Sequence, residues 1–267
     1  MARLSRSRRR DLLRGGALVT FGAGLGVVGF AEAADVTDRK LPIRGGAASA
    51  VLPERPDLLG GGQLGVHWCT RTDRKLVALT FDDGPGPRWT PMVLDILHRH
   101  GVPATFFMVG ERARRHAALV ADRLAGHEVG NHSWAHHDLT RMSAEQAYQD
   151  LARTHRELVA VTGQQPTLLR PPYGHLAGST TVAAVRLDYQ VVLWSRQMRE
   201  AEFPDDPDGH ARQISADVQP GTILLAHDVG DHRRLVSLHG LPQIIERLQA
   251  DGYRFVTVSQ LLAVRSS

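Results

Sequence analysis

Five residues in three short segments have the types and spacing to hold a metal ion and hydrolyse an acyl bond. His132 and His136, in His132-Ser133-Trp134-Ala135-His136, stand four apart; on a helical turn such imidazoles project side by side and could share one cation. A zincin would carry Glu directly after the first histidine as its base, and this chain has Ser133 there, so a base must come from elsewhere. Thr80-Phe81-Asp82-Asp83-Gly84-Pro85 offers adjacent carboxylates behind an apolar run. Crowding two like charges at a barely solvated edge is costly, and a cation offsets that cost. The two acids could then divide the work, one ligating and its neighbour taking a proton from water. Alone, the segment is also an ordinary Asp-Gly-Pro turn, and among 14 histidines one such pair can arise by chance.

His227 closes the apolar run Leu224-Leu225-Ala226 and is a general-acid candidate, or a core histidine bonded to backbone. Arg170-Pro171-Pro172-Tyr173 puts a permanent cation before a turn stiffened by two prolines. It could hold a carboxylate in place and leave backbone N–H groups free for an oxyanion. Cys69 is the single cysteine, so no intramolecular disulfide forms. It is expected as a buried thiol; the alternative is a nucleophile beside His67, two residues away on the same face of an extended segment.

Positioning these residues requires strands with chemistry at their ends. Short apolar runs predict strands over 76–81, 105–109, 128–131, 167–170, 190–194, 222–226 and 253–256. Amphipathic stretches over 90–100, 112–125, 143–161, 211–218 and 241–251 predict the helices between them. Strand–helix alternation implies parallel strands with helical crossovers, and seven units suit a barrel. Asp82, Asp83, His132, Arg170, Trp194 and His227 all fall at strand ends, where α/β barrels build their active sites.

Together and in this order, the four segments resemble the NodB-like polysaccharide deacetylases, carbohydrate esterase family 4, over about residues 75–262. The resemblance implies an α/β fold, a distorted (β/α)7 barrel, and hydrolysis of N- or O-linked acetyl groups on an acetylated glycan. It implies that Asp83, His132 and His136 bind a divalent metal, most often Zn2+ and sometimes Co2+. Asp82 would be the base, His227 the acid, and Arg170 the residue that sets the base. The Tyr173 backbone N–H would help stabilise the oxyanion, Leu225 would line the acetyl pocket, and Trp194 belongs to the substrate wall. One segment departs from the family pattern. Where an arginine-pairing aspartate and a second tryptophan are expected, Gln197 and Ala201 stand. Either Glu200, Glu202 or Asp205 then serves Arg170, or Arg170 pairs directly with Asp82. Rival readings are a glycan-binding barrel without activity, an O-acetyl xylan esterase, and a two-histidine, one-carboxylate iron oxygenase.

The ends of the chain carry a different message. Residues 1–14 are basic, 15–30 form an uncharged apolar run with interspersed glycines, and Ala31-Glu32-Ala33 fits a signal-peptidase site. Residues 1–33 are therefore expected to be a signal peptide, with Arg9-Arg10 suggesting the twin-arginine route to the cell envelope or the medium. The membrane would be met only through an uncleaved signal, and the export machinery through this segment. Residues 34–62, rich in Gly, Pro and Ala, read as a linker or irregular arm, and 63–267 as the catalytic domain. The net charge of +4 is an effect of the leader: without its six arginines and two acids, 26 cations face 26 acids. No electrostatic case for a nucleic-acid partner remains.

Overall fold

The computed structural model describes residues 43–44 and 64–264. The strands are β1 (Ile43–Arg44), β2 (Val66–His67), β3 (Leu76–Asp82), β4 (Thr105–Met108), β5 (Glu128–Asn131), β6 (Leu168–Leu169), β7 (Leu176–Ala177), β8 (Gln190–Val192), β9 (Arg196–Gln197), β10 (Thr222–His227) and β11 (Arg254–Val256). The α-helices are α1 (Trp89–His100), α2 (Gly110–Arg115), α3 (Ala144–Thr162), α4 (Gly178–Arg186), α5 (Pro207–Asp217), α6 (Leu235–Ala250) and α7 (Val258–Leu262).

Nine strands form one parallel sheet in the order β2-β8-β6-β5-β4-β3-β10-β9, with β11 added beside β3. β3 is the pivot. Its first half pairs with β11 (Val77 opposite Phe255) and its second half with β4 (Asp82 opposite Phe107), while β10 follows its other edge from Thr222 to His227. The curl is not closed by a ladder between β2 and β9. Instead the chain leaving β8 spans the gap, Leu193 N–H donating to His67 O and Ser195 N–H to Ile223 O. All seven expected strands are present, and the expected distorted (β/α)7 barrel stands as a curled parallel half-barrel with helices around it.

Every β3 residue is buried, and Leu79, Phe81, Phe106, Leu224 and Ala226 meet Leu97, Ile244 and Ile245 of the helices in the main core. Leu76, Ala78, Phe107 and Ile223 pack with Val258 and Leu261 in a second cluster, as the alternation of side chains along a strand requires. α3 starts with a reciprocal capping box between Ser143 and Gln146 and stops at Gly163, whose φ of 69° favours glycine.

The helix boundaries correct several expectations. The helix expected over 112–125 is the short α2 followed by a 3-10 turn at Ala117–Leu119. α5 begins at Pro207 because the Asp206 side chain caps it and proline suits the first turn. α6 starts six residues before 241 and runs through Pro242, carried by its buried Leu238, Leu241, Ile244 and Ile245. α4, β2, β7 and β9 were not expected; three of them are two-residue strands, too short for any periodicity. Within the expected arm 34–62, Ile43–Arg44 is a strand paired with Leu176–Ala177. The remainder of that arm and the leader 1–33 lie outside the described residues. Cys69 is exposed, against the expected burial, and its backbone bridges to Thr222. His67 bonds Gln190 at 3.2 Å rather than serving the thiol. No helix among the described residues is long and apolar enough to cross a membrane.

Close packing beneath the site gives a stability prediction. A Cβ on Gly130 would lie 2.4 Å from the Phe107 ring, and that ring lies 4.1 Å under the Arg170 guanidinium. Gly130→Ala should cost about 1–3 kcal/mol, read as a lower urea midpoint at unchanged slope. An unshifted midpoint would mean that Phe107 has room to move.

Candidate active site

The site lies at the C-terminal ends of β3, β5, β6 and β10. Asp82 is the last residue of β3, level with His227 on β10, and Asp83 begins the following turn with φ 75°. His132 follows β5 with its N–H bonded to Met108 O. The expected helical turn from His132 to His136 does not form. Ser133 and His136 both take left-handed backbone (φ 65° and 58°), and this brings the two rings to a centroid distance of 5.0 Å. The side chains thus meet as expected, by a different backbone.

Asp83, His132 and His136 place one ligand atom each within 4.8 Å of the others. Asp83 Oδ1 lies 3.2 Å from His136 Nε2 and 3.6 Å from His132 Nε2. His132 Nδ1 lies 2.6 Å from the Arg170 carbonyl; donating there fixes the tautomer that leaves Nε2 as a lone-pair donor. Two imidazoles and one carboxylate, converging and oriented from behind, fit a divalent cation with an open coordination position. The electrostatics agree. Burial alone would raise the Asp83 pKa, but the hydrogen bond and charge of His132, with His227 and His136, hold it well below the carboxylate range. Burial works against a charged His132, yet Asp82 and Asp83 push its pKa up. For His136, burial and the charge of His132 push the pKa down. The carboxylates thus attract positive charge to the place where the ligand atoms meet.

Arg170 is fully buried and spends its donors on four acceptors: Asp82 Oδ1 at 2.7 Å, Thr80 Oγ at 2.8 Å, Leu193 O at 2.9 Å and Val192 O at 3.1 Å. The direct pairing with Asp82 is therefore the arrangement adopted. Gln197 sits in β9 opposite Leu225, Glu202 pairs with Arg199, and Glu200 accepts a 3.4 Å bond from Ser237, so none of these substitutes as the partner of Arg170. Asp205 lies in the loop before α5, among the residues of a cavity that also holds Glu200 and Ala201. Trp194 packs beside the second core cluster, its ring 5.8 Å from the Arg170 guanidinium. Leu225 is buried within β10. Tyr173 has φ 61° in a 3-10 turn, and its half-exposed ring meets His136 edge-on at 4.7 Å.

On the opposite side stands His227. Burial, then the charge of Arg234, pull its pKa down to about 4, against the opposing pull of Asp83 and Glu200. Its Nδ1 has no hydrogen-bond partner among the described residues. Sequence reasoning missed Arg234, which lies 3.2 Å from Asp83 Oδ2, and Arg112, which donates to Asp83 O at 2.7 Å. Nothing local marks either, since both reach the site from outside the motifs. It also missed Asp228, although that residue directly follows His227. Asp228 is fully buried and accepts from Thr90 Oγ at 2.6 Å, and the same hydroxyl accepts from Gly86 N–H. A Cβ on Gly84 would come within 2.4 Å of both Asp228 oxygens, so the glycine after the two acids is required by this close approach.

Burial, with Asp83 and Asp82 nearby, raises the Asp228 pKa to about 7 despite the bond from Thr90. A carboxyl with a raised native pKa stabilises the fold at low pH, and that contribution is lost as pH rises through the native value. Metal-free protein should thus lose stability between about pH 4 and about pH 7 through this group. The Asp228→Asn variant should show a flatter profile in thermal melts across that window. Parallel profiles would assign the shift elsewhere.

Comparison with known proteins agrees with this arrangement. The sequence profile described as "Polysaccharide deacetylase" matches residues 70–192. A peptidoglycan-N-acetylglucosamine deacetylase of Bacillus cereus is 36% identical over 199 residues, covering 74% of this chain and 92% of that protein. The longer PgdA of Listeria monocytogenes is 35% identical over 70% of this chain, which spans 39% of its length. Among solved structures, the Bc1960 peptidoglycan N-acetylglucosamine deacetylase superposes with a TM-score of 0.69 at 28% identity, covering 76% of this chain and 95% of that one. BA3943 of Bacillus anthracis, described as a pseudoenzyme of carbohydrate esterase family 4, superposes with a TM-score of 0.68 at 25% identity, over 77% of this chain and 71% of its own. With the barrel, the four motifs and a relative matched over nearly its whole length, the chain belongs to the polysaccharide deacetylase family, carbohydrate esterase family 4.

Proposed function

We propose that this protein is an exported, zinc-dependent hydrolase that removes acetyl groups from N-acetylglucosamine units of a glycan. The observation that carries the reading is one cluster. Asp82 is held by Arg170 and lies 3.8 Å from His132, beside a three-ligand set, with His227 opposite it across β3 and β10. The relatives named for deacetylating N-acetylglucosamine in peptidoglycan support the substrate class. Two imidazoles and a carboxylate suit Zn2+, with Co2+ the next candidate.

A divalent cation held by Asp83, His132 and His136 would supply Lewis acidity to the acetyl carbonyl and to water. The protein's own groups do the rest. Asp82, oriented by the Arg170 guanidinium, accepts the proton that water loses as its oxygen adds to the acetyl carbon. The Tyr173 N–H, in the left-handed turn beside His136, would stabilise the developing oxyanion. The carbon–nitrogen bond then breaks, the sugar nitrogen takes a proton from His227, and acetate leaves. His227 enters neutral at pH 7, given its pKa of about 4, so the proton it donates is the one Asp82 took from water, relayed to it before the carbon–nitrogen bond breaks. An O-acetyl ester could be cleaved by the same groups with less need of that acid.

The test is acetate release from acetylated oligosaccharides by chelator-treated protein before and after Zn2+ is restored. His132→Ala should lose bound metal and activity together, whereas Asp82→Asn should keep metal and lose turnover by roughly a hundredfold or more. His227→Ala should slow N-acetyl substrates more than O-acetyl substrates. A parent protein that takes up Zn2+ but releases no acetate from any substrate would leave the impaired, glycan-binding barrel as the reading. Export rests on residues 1–33 alone: replacing Arg9 and Arg10 with Lys should block transport, and undiminished export would mark an ordinary secretory signal.

A further inference from the structure

Each acid of the Asp82-Asp83 pair has one oxygen tied to an arginine and the other beside an imidazole. Asp82 gives Oδ1 to Arg170 at 2.7 Å, and its Oδ2 lies 3.8 Å from His132 Nε2. Asp83 gives Oδ2 to Arg234 Nη1 at 3.2 Å, while its Oδ1 is the atom 3.2 Å from His136 Nε2 and 3.6 Å from His132 Nε2. Arg170 orients the proposed base; Arg234 has no part in the reaction as proposed. Its place is nevertheless restrained on several sides. It ends the 3-10 turn His232–Arg234 ahead of α6, and the same Nη1 donates to Val229 O at 2.9 Å. The stem crosses Gly230, where a Cβ would lie 2.6 Å from Arg234 Cδ. Its backbone N–H donates to Asp231 O at 3.1 Å, and its carbonyl accepts from Ser237 Oγ at 2.8 Å. The two side chains are only 16% (Asp83) and 33% (Arg234) exposed, so water and salt screen their contact less than a surface pair.

We infer that Arg234 is a positioning residue that limits Asp83 to a single ligating oxygen, Oδ1, by engaging Oδ2. The inference rests on the metal-dependent reading of the site. A carboxylate that turns both oxygens toward one cation fills two coordination positions. With two imidazoles that makes four, the closed set of a structural zinc site. One oxygen and two imidazoles make three, and leave a position for water or the acetyl carbonyl, as hydrolysis needs. The Arg170 carbonyl sets the orientation of His132 but not how Asp83 presents its oxygens; the contact with Arg234 does that. Arg112, which holds the Asp83 carbonyl at 2.7 Å, fixes the backbone and leaves the carboxylate to Arg234.

Co2+ alone is the probe, added to metal-stripped protein and followed by its visible absorption and by calorimetric titration. The Co2+ band weakens as coordination number rises, so it reads how many ligand atoms surround the ion. Arg234→Gln frees Oδ2. It should weaken the band and tighten Co2+ binding roughly tenfold, because a neighbouring cation is lost and an oxygen gained. Gly230→Ala, which places a methyl against Arg234 Cδ, should weaken the band with the cation still present. Arg233→Gln removes the adjacent charge, 76% exposed and paired with Asp231, and should leave the band as it is. Turnover is not the readout, since Arg234 also lowers the His227 pKa and would act on proton delivery by that route. An outer partner that merely braces a ligand costs about 10–100-fold in metal affinity when removed. Such a loss in Arg234→Gln, with the band intact, would overturn the inference. So would a band unchanged in both Arg234→Gln and Gly230→Ala, or one weakened equally by Arg233→Gln. A parent protein that takes up no Co2+ would sink the proposed ligand set and this inference with it. Uptake with identical bands in parent and variants would sink this inference alone.

Discussion

A fully buried guanidinium holds the site together. Removing a cation from water costs several kcal/mol unless acceptors surround it, and Arg170 finds them on separate strands. Asp82 and Thr80 belong to β3, the carbonyls of Val192 and Leu193 to the end of β8, and the Phe107 ring beneath it to β4. Its own carbonyl, at the end of β6, receives His132 from β5. One side chain and its backbone thus connect Asp82, His132 and five strands. Their relative placement is set by the need to satisfy one charge. Loss of that charge would leave Asp82 buried without its partner, the costly half of a broken pair.

The ligand set is built from strained backbone as well as from side chains. Asp83, Ser133, His136 and Tyr173 all take positive φ, and they lie in or beside the segments whose ligand atoms converge. Left-handed conformations in residues other than glycine cost free energy and persist where the surroundings over-determine them. Here the restraints are visible. Arg112 holds the Asp83 carbonyl, Asn131 Oδ1 accepts from Ser133 N–H, and Asp150 accepts from Trp134 N–H. Asn131 is in turn fixed by bonds from its own amide to Leu151 O and Tyr189 Oη. The strain at Asp83 and Ser133 is thus held by a polar network that reaches from Arg112 to Asn131 and Tyr189.

Much of this was legible in the sequence because strand ends announce themselves. Apolar runs stop where a charged residue begins, and so Asp82, His132 and His227 were placed at the correct ends of the correct strands. The backbone between His132 and His136 was not legible: a spacing of four fits a helical turn, and only tertiary bonds select two left-handed residues instead. Short strands such as Arg196–Gln197 carry no period, and α6 passes Pro242 because burial of its apolar face outweighs a lost backbone bond. Arg234 and Arg112 were invisible for another reason. A long, flexible cation reaching a carboxylate across the fold leaves no trace in local pattern.

The altered loop after β8 leaves the setting of Asp82 unchanged. With Gln197 in place of an acid, four of the five Arg170 N–H groups still find acceptors, Asp82 and three further oxygens. The loop reaches the chemistry on the other side. Glu200 counters the burial that keeps His227 neutral, Arg234 reinforces it, and Ala201 helps to line a cavity of about 600 Å³ between this loop and the start of α6. The proposed base and acid therefore depend on different parts of the chain: Asp82 on the strand-end network around Arg170, His227 on a surface loop and a helix start. A change in residues 197–205 leaves the first intact and acts on proton delivery and on the volume beside it. That asymmetry lets sequence vary beside His227, while Asp82 and Arg170 remain fixed by the barrel.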